Sequence, residues 1–111
     1  MSWKDNNIKH AKEIADKTLL GEPMTNWRLH NMLDWLDISE IRMECTTSKS
    51  NKWWYIQLAG PLVATAWGKI GNEGNLKNHL MEDETDAKTY FNKKVREKFN
   101  KSYKFKIINY S

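Results

Sequence analysis

Residues 53–58 read WWYIQL and residues 62–67 read LVATAW, and these two stretches decide the fold of the chain. Both are rich in aromatic and β-branched residues, which suit the pleated surface of a sheet. Gly60-Pro61 lies between them and marks a turn. The connection is too short for a parallel crossover, so the two stretches predict neighbouring antiparallel strands.

Further strands are predicted on both sides of this pair. Before it, Ile41, Met43 and Cys45 alternate with polar residues, as in a half-buried strand, and residues 47–51 form a polar turn. After it, residues 76–81 predict a fourth strand. The tail 103–110 alternates weakly and would add an edge strand. Short turns between consecutive strands indicate an antiparallel meander.

Three stretches with apolar residues at helical spacing predict helices. The first covers residues 6–20, and Gly21 and Pro23 end it. The second starts after Thr25, whose hydroxyl can cap it, and the third follows the acidic run 82–86. Their apolar faces are Ile8, Ala11, Ala15 and Leu19 in the first, Leu29, Met32, Leu33 and Leu36 widened by Trp27 and Trp35 in the second, and Ala87, Tyr90, Phe91, Val95 and Phe99 in the third.

The predicted class is α+β. An antiparallel sheet of four or slightly more strands packs on one C-terminal helix, and two helices form an N-terminal extension. A chain of 111 residues is long enough to build one core without cross-links. A hydrophobic fraction of 40% and no long apolar run are typical of a soluble protein, and the absence of a secretion signal predicts a cytoplasmic location.

Charge is distributed unevenly along the chain. Residues 1–38 hold five Lys or Arg and six Asp or Glu, whereas residues 88–106 hold eight Lys or Arg against Glu97 alone. Such an excess attracts phosphate backbones or anionic lipid head groups. A solvated helix face whose charges match the helix dipole is the structural alternative.

Nothing in the sequence indicates catalysis or a bound metal. There is no P-loop, nucleophile elbow or dinucleotide fingerprint, so we expect a non-enzymatic protein without a cofactor. Cys45 is the single cysteine and cannot form an internal disulfide, and the three histidines are scattered without metal-ligand spacing.

A further motif follows the third predicted strand. Residues 67–71 read WGKIG, Gly74 follows, residues 51–58 read NKWWYIQL, and residues 91–103 form a lysine-rich segment that ends in an aromatic residue. This order resembles a WGR domain, the DNA-contacting fold of some poly(ADP-ribose) polymerases. Lys69 stands where the family has the arginine of its name, and residues 99–101 differ from the family's Thr-Gly-Asn. The resemblance divides the chain into a helical leader, residues 1–38, and a WGR-like domain, residues 39–111.

The resemblance implies that Trp67 packs against a sugar at a DNA end or break, while the basic helix meets phosphates. The predicted nucleic-acid-binding residues are Trp67, Gly68, Lys69, Lys77, Lys94 and Lys98. A core tryptophan and simple turn glycines are the structural alternatives for this motif. DNA is the expected partner. The alternative function is a protein-interaction module, such as an adaptor or inhibitor of a nucleic-acid-processing enzyme, and we expect no attachment to membranes because lysines intrude near the apolar helix face.

Overall fold

The computed structural model describes residues 2–111, and over these residues the chain forms three helices and a five-stranded antiparallel sheet. The helices are α1 (Trp3–Leu19), α2 (Asn26–Trp35) and α3 (Glu84–Asn100). The strands are β1 (Ile38–Thr47), β2 (Ser50–Ala59), β3 (Leu62–Lys69), β4 (Asn75–Leu80) and β5 (Lys104–Tyr110). The predicted α+β class is confirmed, with the tail as a fifth strand.

The sheet is a four-stranded meander that the C-terminal strand enlarges, in the order β4-β3-β2-β1-β5. A two-residue turn joins β1 to β2, where Thr47 pairs with Ser50. Gly60 has φ of 60° in the turn between β2 and β3, a conformation that a glycine adopts without strain. The chain then crosses the sheet as α3, and β5 pairs with β1 through a register that shifts at two places.

One face of the sheet carries the core. Ile41, Met43 and Ile56 are fully buried there, and Ala87 and Phe91 of α3 pack in the same cluster. The N-terminal helices add to this cluster, with the buried residues Ala11, Ile14, Ala15, Leu29, Met32, Leu33 and Leu36. All three helices therefore share a single hydrophobic core with the sheet.

The helices begin where side chains can cap them. Thr25 Oγ1 accepts a hydrogen bond from the backbone N–H of Arg28 at 3.1 Å, as the sequence predicted for α2. Asp83 caps α3 by accepting from the N–H of Asp86 at 2.8 Å. Carboxylates in the first turn of α3 and Lys98 in its last turn match the helix dipole.

Three details of the helical prediction are wrong, and one is Leu19, which was predicted on the apolar face of the first helix and is 39% exposed. The first helix begins at Trp3, three residues before the predicted start. Trp27 does not widen the apolar face of α2, because it is 67% exposed. It precedes the buried Leu29 by two residues, and two residues of helix turn a side chain about 200° around the axis. Trp35 is half-buried and meets Trp3 edge to face, with ring centroids 5.5 Å apart.

Candidate nucleic-acid interface

Trp67 lies on the helix-covered face of the sheet, beside Trp54. The two residues are register partners on β3 and β2, so their side chains point to the same face. Trp54 is 4% exposed and belongs to the core, whereas Trp67 is 41% exposed. The indole of Trp67 thus lies on the same row of the sheet as a core tryptophan and is still open to solvent.

Three sheet lysines share this face because strand side chains alternate with a period of two. Lys69 follows Trp67 by two residues on β3, and Lys52 is its register partner on β2. Lys77 is paired with Thr65, two residues before Trp67. The sheet therefore places ammonium groups on both sides of the Trp67 row.

The helix supplies further lysines near the same row. Lys98 Nζ lies 5.7 Å from the ring centroid of Trp54 and 5.2 Å from that of Tyr103. Lys94 Nζ lies 5.4 Å from the ring of Tyr90 and 3.3 Å from Glu97 Oε2. Lys94 and Lys98 thus lie over aromatic rings, where cation–π attraction orients their ammonium groups.

Burial and the positive charge of this surface together lower the pKa of Lys98. Its pKa is lowered from 10.5, chiefly because burial removes water from the ammonium group, and then because Lys101 and Lys94 repel its charge. Lys52 also contributes to the lowering, and Glu97 opposes it. An ammonium group held among like charges gains from any anion that binds there.

Gly68 faces the opposite side of the sheet, so it contributes close packing rather than a contact on the Trp67 face. A Cβ on Gly68 would lie 2.9 Å from the Cα of Gly74 and 3.2 Å from Trp53 Nε1. Trp53 Nε1 donates hydrogen bonds to the backbone oxygens of Lys69, at 3.0 Å, and Asn72, at 3.3 Å. This indole therefore fixes the loop that follows Trp67.

The face that carries Trp53 differs in charge from the Trp67 face. Arg42 lies 5.0 Å above the Trp53 ring and forms an ion pair with Glu44 at 3.2 Å. The Tyr55 hydroxyl donates a hydrogen bond to Glu40, and burial, helped by this carboxylate, raises the pKa of Tyr55 to about 12. Positive charge on this face is balanced by carboxylates, which leaves the Trp67 face as the basic one.

The structure brings together five of the six predicted site residues on one face. Lys52, which shares this face, and Lys101, whose charge helps to lower the pKa of Lys98, were not among the predicted site residues, and Tyr103 was given no role. Lys52 could have been found from the two-residue alternation once its register with Lys69 was known. Lys101 and Tyr103 depend on how α3 ends, which the sequence did not specify.

Comparison with known proteins identifies the family of this chain. The sequence profile of the WGR domain family matches residues 39–107. The chain belongs to the WGR family. WGR domains are generally nucleic-acid-binding modules, and the matched range includes Trp67, Gly68 and Lys69.

A solved structure shares this WGR fold. A protein from Bacteroides fragilis, known from a crystal structure, matches with a TM-score of 0.60 and 25% sequence identity. The match covers 61% of this WGR chain but 19% of the B. fragilis protein. No curated protein matches significantly. In the part of the WGR chain that the structure describes, no helix is long and apolar enough to cross a membrane.

Proposed function

We propose that this WGR chain is a non-catalytic module that binds DNA through the face of the sheet that carries Trp67. In this proposal Trp67 packs against a sugar at a DNA end or break, and Lys69, Lys77, Lys94 and Lys98 neutralise phosphates. The observation that supports it best is a partly exposed indole, 41% accessible, with lysines from three strands and a helix on the same face.

The chemistry of these side chains suits a backbone contact without base readout. An indole offers an apolar face to any sugar or base, and such stacking contributes about 1–3 kcal/mol per base. Ammonium groups bind phosphates as point charges and carry no sequence information. We therefore expect affinity that depends little on sequence and strongly on salt.

The salt dependence of binding to a short duplex tests this proposal. Each phosphate that a lysine neutralises contributes about 0.9 to the slope of log affinity against log salt. Lys69→Ala and Lys98→Ala should each lower the slope by about one contact. Lys12→Ala, an exposed lysine on α1, is the control and should leave the slope unchanged. A chain that binds no duplex at low salt would refute the proposal.

The role of Trp67 is tested by comparing DNA with ends to closed circular DNA. If the indole contacts a terminal sugar, Trp67→Ala should abolish the preference for ends while the lysines still give salt-dependent binding. Trp27→Ala removes an indole that is 67% exposed on α2 and is the matched control. Loss of end preference in both variants would point to a nonspecific effect of removing surface tryptophans.

A protein-interaction function is the second candidate, and exposed aromatics on the leader favour it. Trp3 and Trp27 are 70% and 67% exposed on α1 and α2, and tryptophans are enriched where proteins contact each other. Affinity capture from the native host, read for both protein and nucleic acid, separates the two functions. Capture of one protein that Trp3→Ala and Trp27→Ala abolish, without nucleic acid, would favour the second candidate.

A further inference from the structure

The outer edge of β4 offers backbone groups in a regular pattern. β4 ends the sheet, and within residues 2–111 no other strand pairs with its outer side. The backbone N–H of Met81 donates to the oxygen of Pro61 at 2.9 Å, so position 81 points toward β3. In an antiparallel strand the N–H and C=O of one residue point to the same side, and the side alternates from residue to residue. The backbone N–H and C=O groups of Leu76, Asn78 and Leu80 therefore point away from β3.

One face of this edge carries two exposed leucines. Leu76 and Leu80 are 68% and 78% exposed, and they lie on the face opposite to Trp67. Leu76 and Leu80 each lie two residues from Asn78, so the order of outward residues is Leu-Asn-Leu in both directions along the strand. Exposed leucines at i and i+4 of an edge strand are unusual, because such edges invite pairing with another strand.

The other edge of the sheet is protected in the usual way. β5 has exposed lysines at 104 and 106, and its pairing with β1 contains two irregularities. Charged side chains and bulges of this kind prevent the addition of another strand. On β4 the corresponding charge is Lys77, whose side chain points to the opposite face from Leu76. The two edges of the sheet are therefore not equivalent.

We propose that β4 pairs antiparallel with β4 of a second copy of this chain, with the two-fold axis at Asn78. Leu76 then faces Leu80 of the second copy, and Asn78 faces Asn78. Each outward residue gives one N–H and one C=O, so the three residues of each copy form six backbone hydrogen bonds across the axis. The two Leu–Leu pairs lie on one face and cover each other.

Neighbouring registers are less favourable. An axis at Lys77 places two ammonium groups opposite each other, and like charges in directly opposed positions destabilise a strand pair. An axis at either Lys77 or His79 also leaves only four of the backbone hydrogen bonds within Asn75–Leu80. The pattern of the strand thus selects the axis at Asn78.

The expected dimer is weak and depends on concentration. One strand pair with four leucines buries less than the roughly 1,200 Å² of a stable interface. The two-fold axis is perpendicular to the sheet, so both copies present their Trp67 faces on the same side. The pairing rests on the β4 edge alone and does not require the DNA-binding proposal to hold.

Sedimentation equilibrium of the full chain without nucleic acid, over a wide concentration range, tests the proposal. We expect reversible dimerisation, and Leu76→Lys should raise the dissociation constant about tenfold because two cross-strand pairs are lost. Asn78→Pro should abolish the dimer. Its missing N–H points away from β3, so the proline is compatible with the folded monomer. Ile107→Lys changes an exposed residue, 42% accessible, on the other edge strand and should have no effect.

Amide hydrogen exchange gives an independent reading on the same samples. The N–H groups of Leu76, Asn78 and Leu80 should become more protected as the concentration of the chain rises. In a folded Asn78→Pro variant, residue 78 has no N–H, and the N–H groups of Leu76 and Leu80 should stay unprotected at every concentration. A chain that is monomeric at every concentration overturns the proposal. A dimer that resists both β4 variants, or one that Ile107→Lys disrupts, overturns it as well.

Discussion

Trp54 and Trp67 are direct register partners on β2 and β3, yet Trp54 is 4% exposed and Trp67 is 41% exposed. The difference arises from what covers them. Lys98 of α3 lies over the Trp54 ring, and that ring belongs to the hydrophobic core. One row of the sheet therefore combines an indole that stabilises the fold with an indole that is accessible to a ligand.

Substitution of these two tryptophans should have different effects on stability. Trp54→Ala should lower the free energy of unfolding by about 3–5 kcal/mol, because it leaves a cavity in a packed core. Trp67→Ala should lower it by about 1 kcal/mol, since much of this indole is already in water. Denaturant unfolding of both variants measures the difference. Equal losses would show that Trp67 is as important to the core as Trp54.

The loop that follows the WGR motif has no room for a side chain at Gly74. A Cβ at this position would lie 2.1 Å from the backbone oxygen of Trp67 and 2.6 Å from Cζ2 of Trp53. The backbone must move to relieve such contacts, so Gly74→Ala should lower the free energy of unfolding by about 1–3 kcal/mol.

Thermal unfolding and the fluorescence of the tryptophans measure the effect of Gly74→Ala. Asn72→Ala is the control in the same loop, because the hydrogen bond from Trp53 reaches the backbone oxygen of residue 72 and not its side chain. A Gly74→Ala variant as stable as the unchanged protein would show that the loop adjusts without cost.

Local sequence patterns were sufficient to predict most of the secondary structure. Alternation at Ile41 and Met43 predicted β1, and both residues are fully buried. The apolar spacing of Ala87, Phe91 and Val95 predicted α3 and its buried face. Each of these elements buries one face, so the spacing of its apolar residues in the sequence is enough to predict it.

The surface around Trp67 could be predicted only in part, because it depends on the register between strands. Lys52 was missed since its position beside Lys69 is a property of the β2–β3 pairing, not of either strand alone. The same limitation applies to Trp53 and Trp54. Alternation placed them on opposite faces, but only the packing of the helices determines which face is covered.

The lowered pKa of Lys98 predicts how binding of an anion depends on pH. A bound phosphate stabilises the charged ammonium and raises its pKa again, so binding takes up a proton at a pH where free Lys98 has begun to lose its own. Affinity for a duplex should therefore fall as pH rises through the lowered pKa of free Lys98, below the ordinary 10.5. Lys98→Arg keeps its charge and should reduce this fall. Binding measured at constant ionic strength provides the test, and identical pH profiles would contradict it.

The Tyr55–Glu40 hydrogen bond should be visible in the tyrosine titration. The pKa of Tyr55 is raised from 10.0 to about 12, so its contribution to stability is fully present below pH 10 and is lost as pH rises toward 12. Glu40→Gln removes the charge and should lower the pKa of Tyr55. Tyrosinate absorbance follows the titration. An unchanged curve would show that the carboxylate does not contribute.

Ser102 ends α3 in a strained conformation that glycine would relieve. Its φ is 70°, in the left-handed region where residues other than glycine lose about 1 kcal/mol or more. The backbone N–H groups of Ser102 and Tyr103 bond to the oxygens of Phe99 and Lys98, at 3.0 and 3.1 Å, so the turn itself is well formed.

Ser102→Gly should therefore raise the free energy of unfolding by about 0.5–1 kcal/mol, less than the full strain because glycine also gains freedom in the unfolded chain. Ser102→Ala retains a Cβ and should give no gain. The glycine variant keeps the backbone hydrogen bonds of the turn, and with them the position of Tyr103 against Lys98, so it should bind duplex DNA as tightly as the unchanged chain. Chemical denaturation and duplex binding of the two variants measure both effects. A glycine variant no more stable than the alanine variant would show that the left-handed φ of residue 102 does not destabilise the fold.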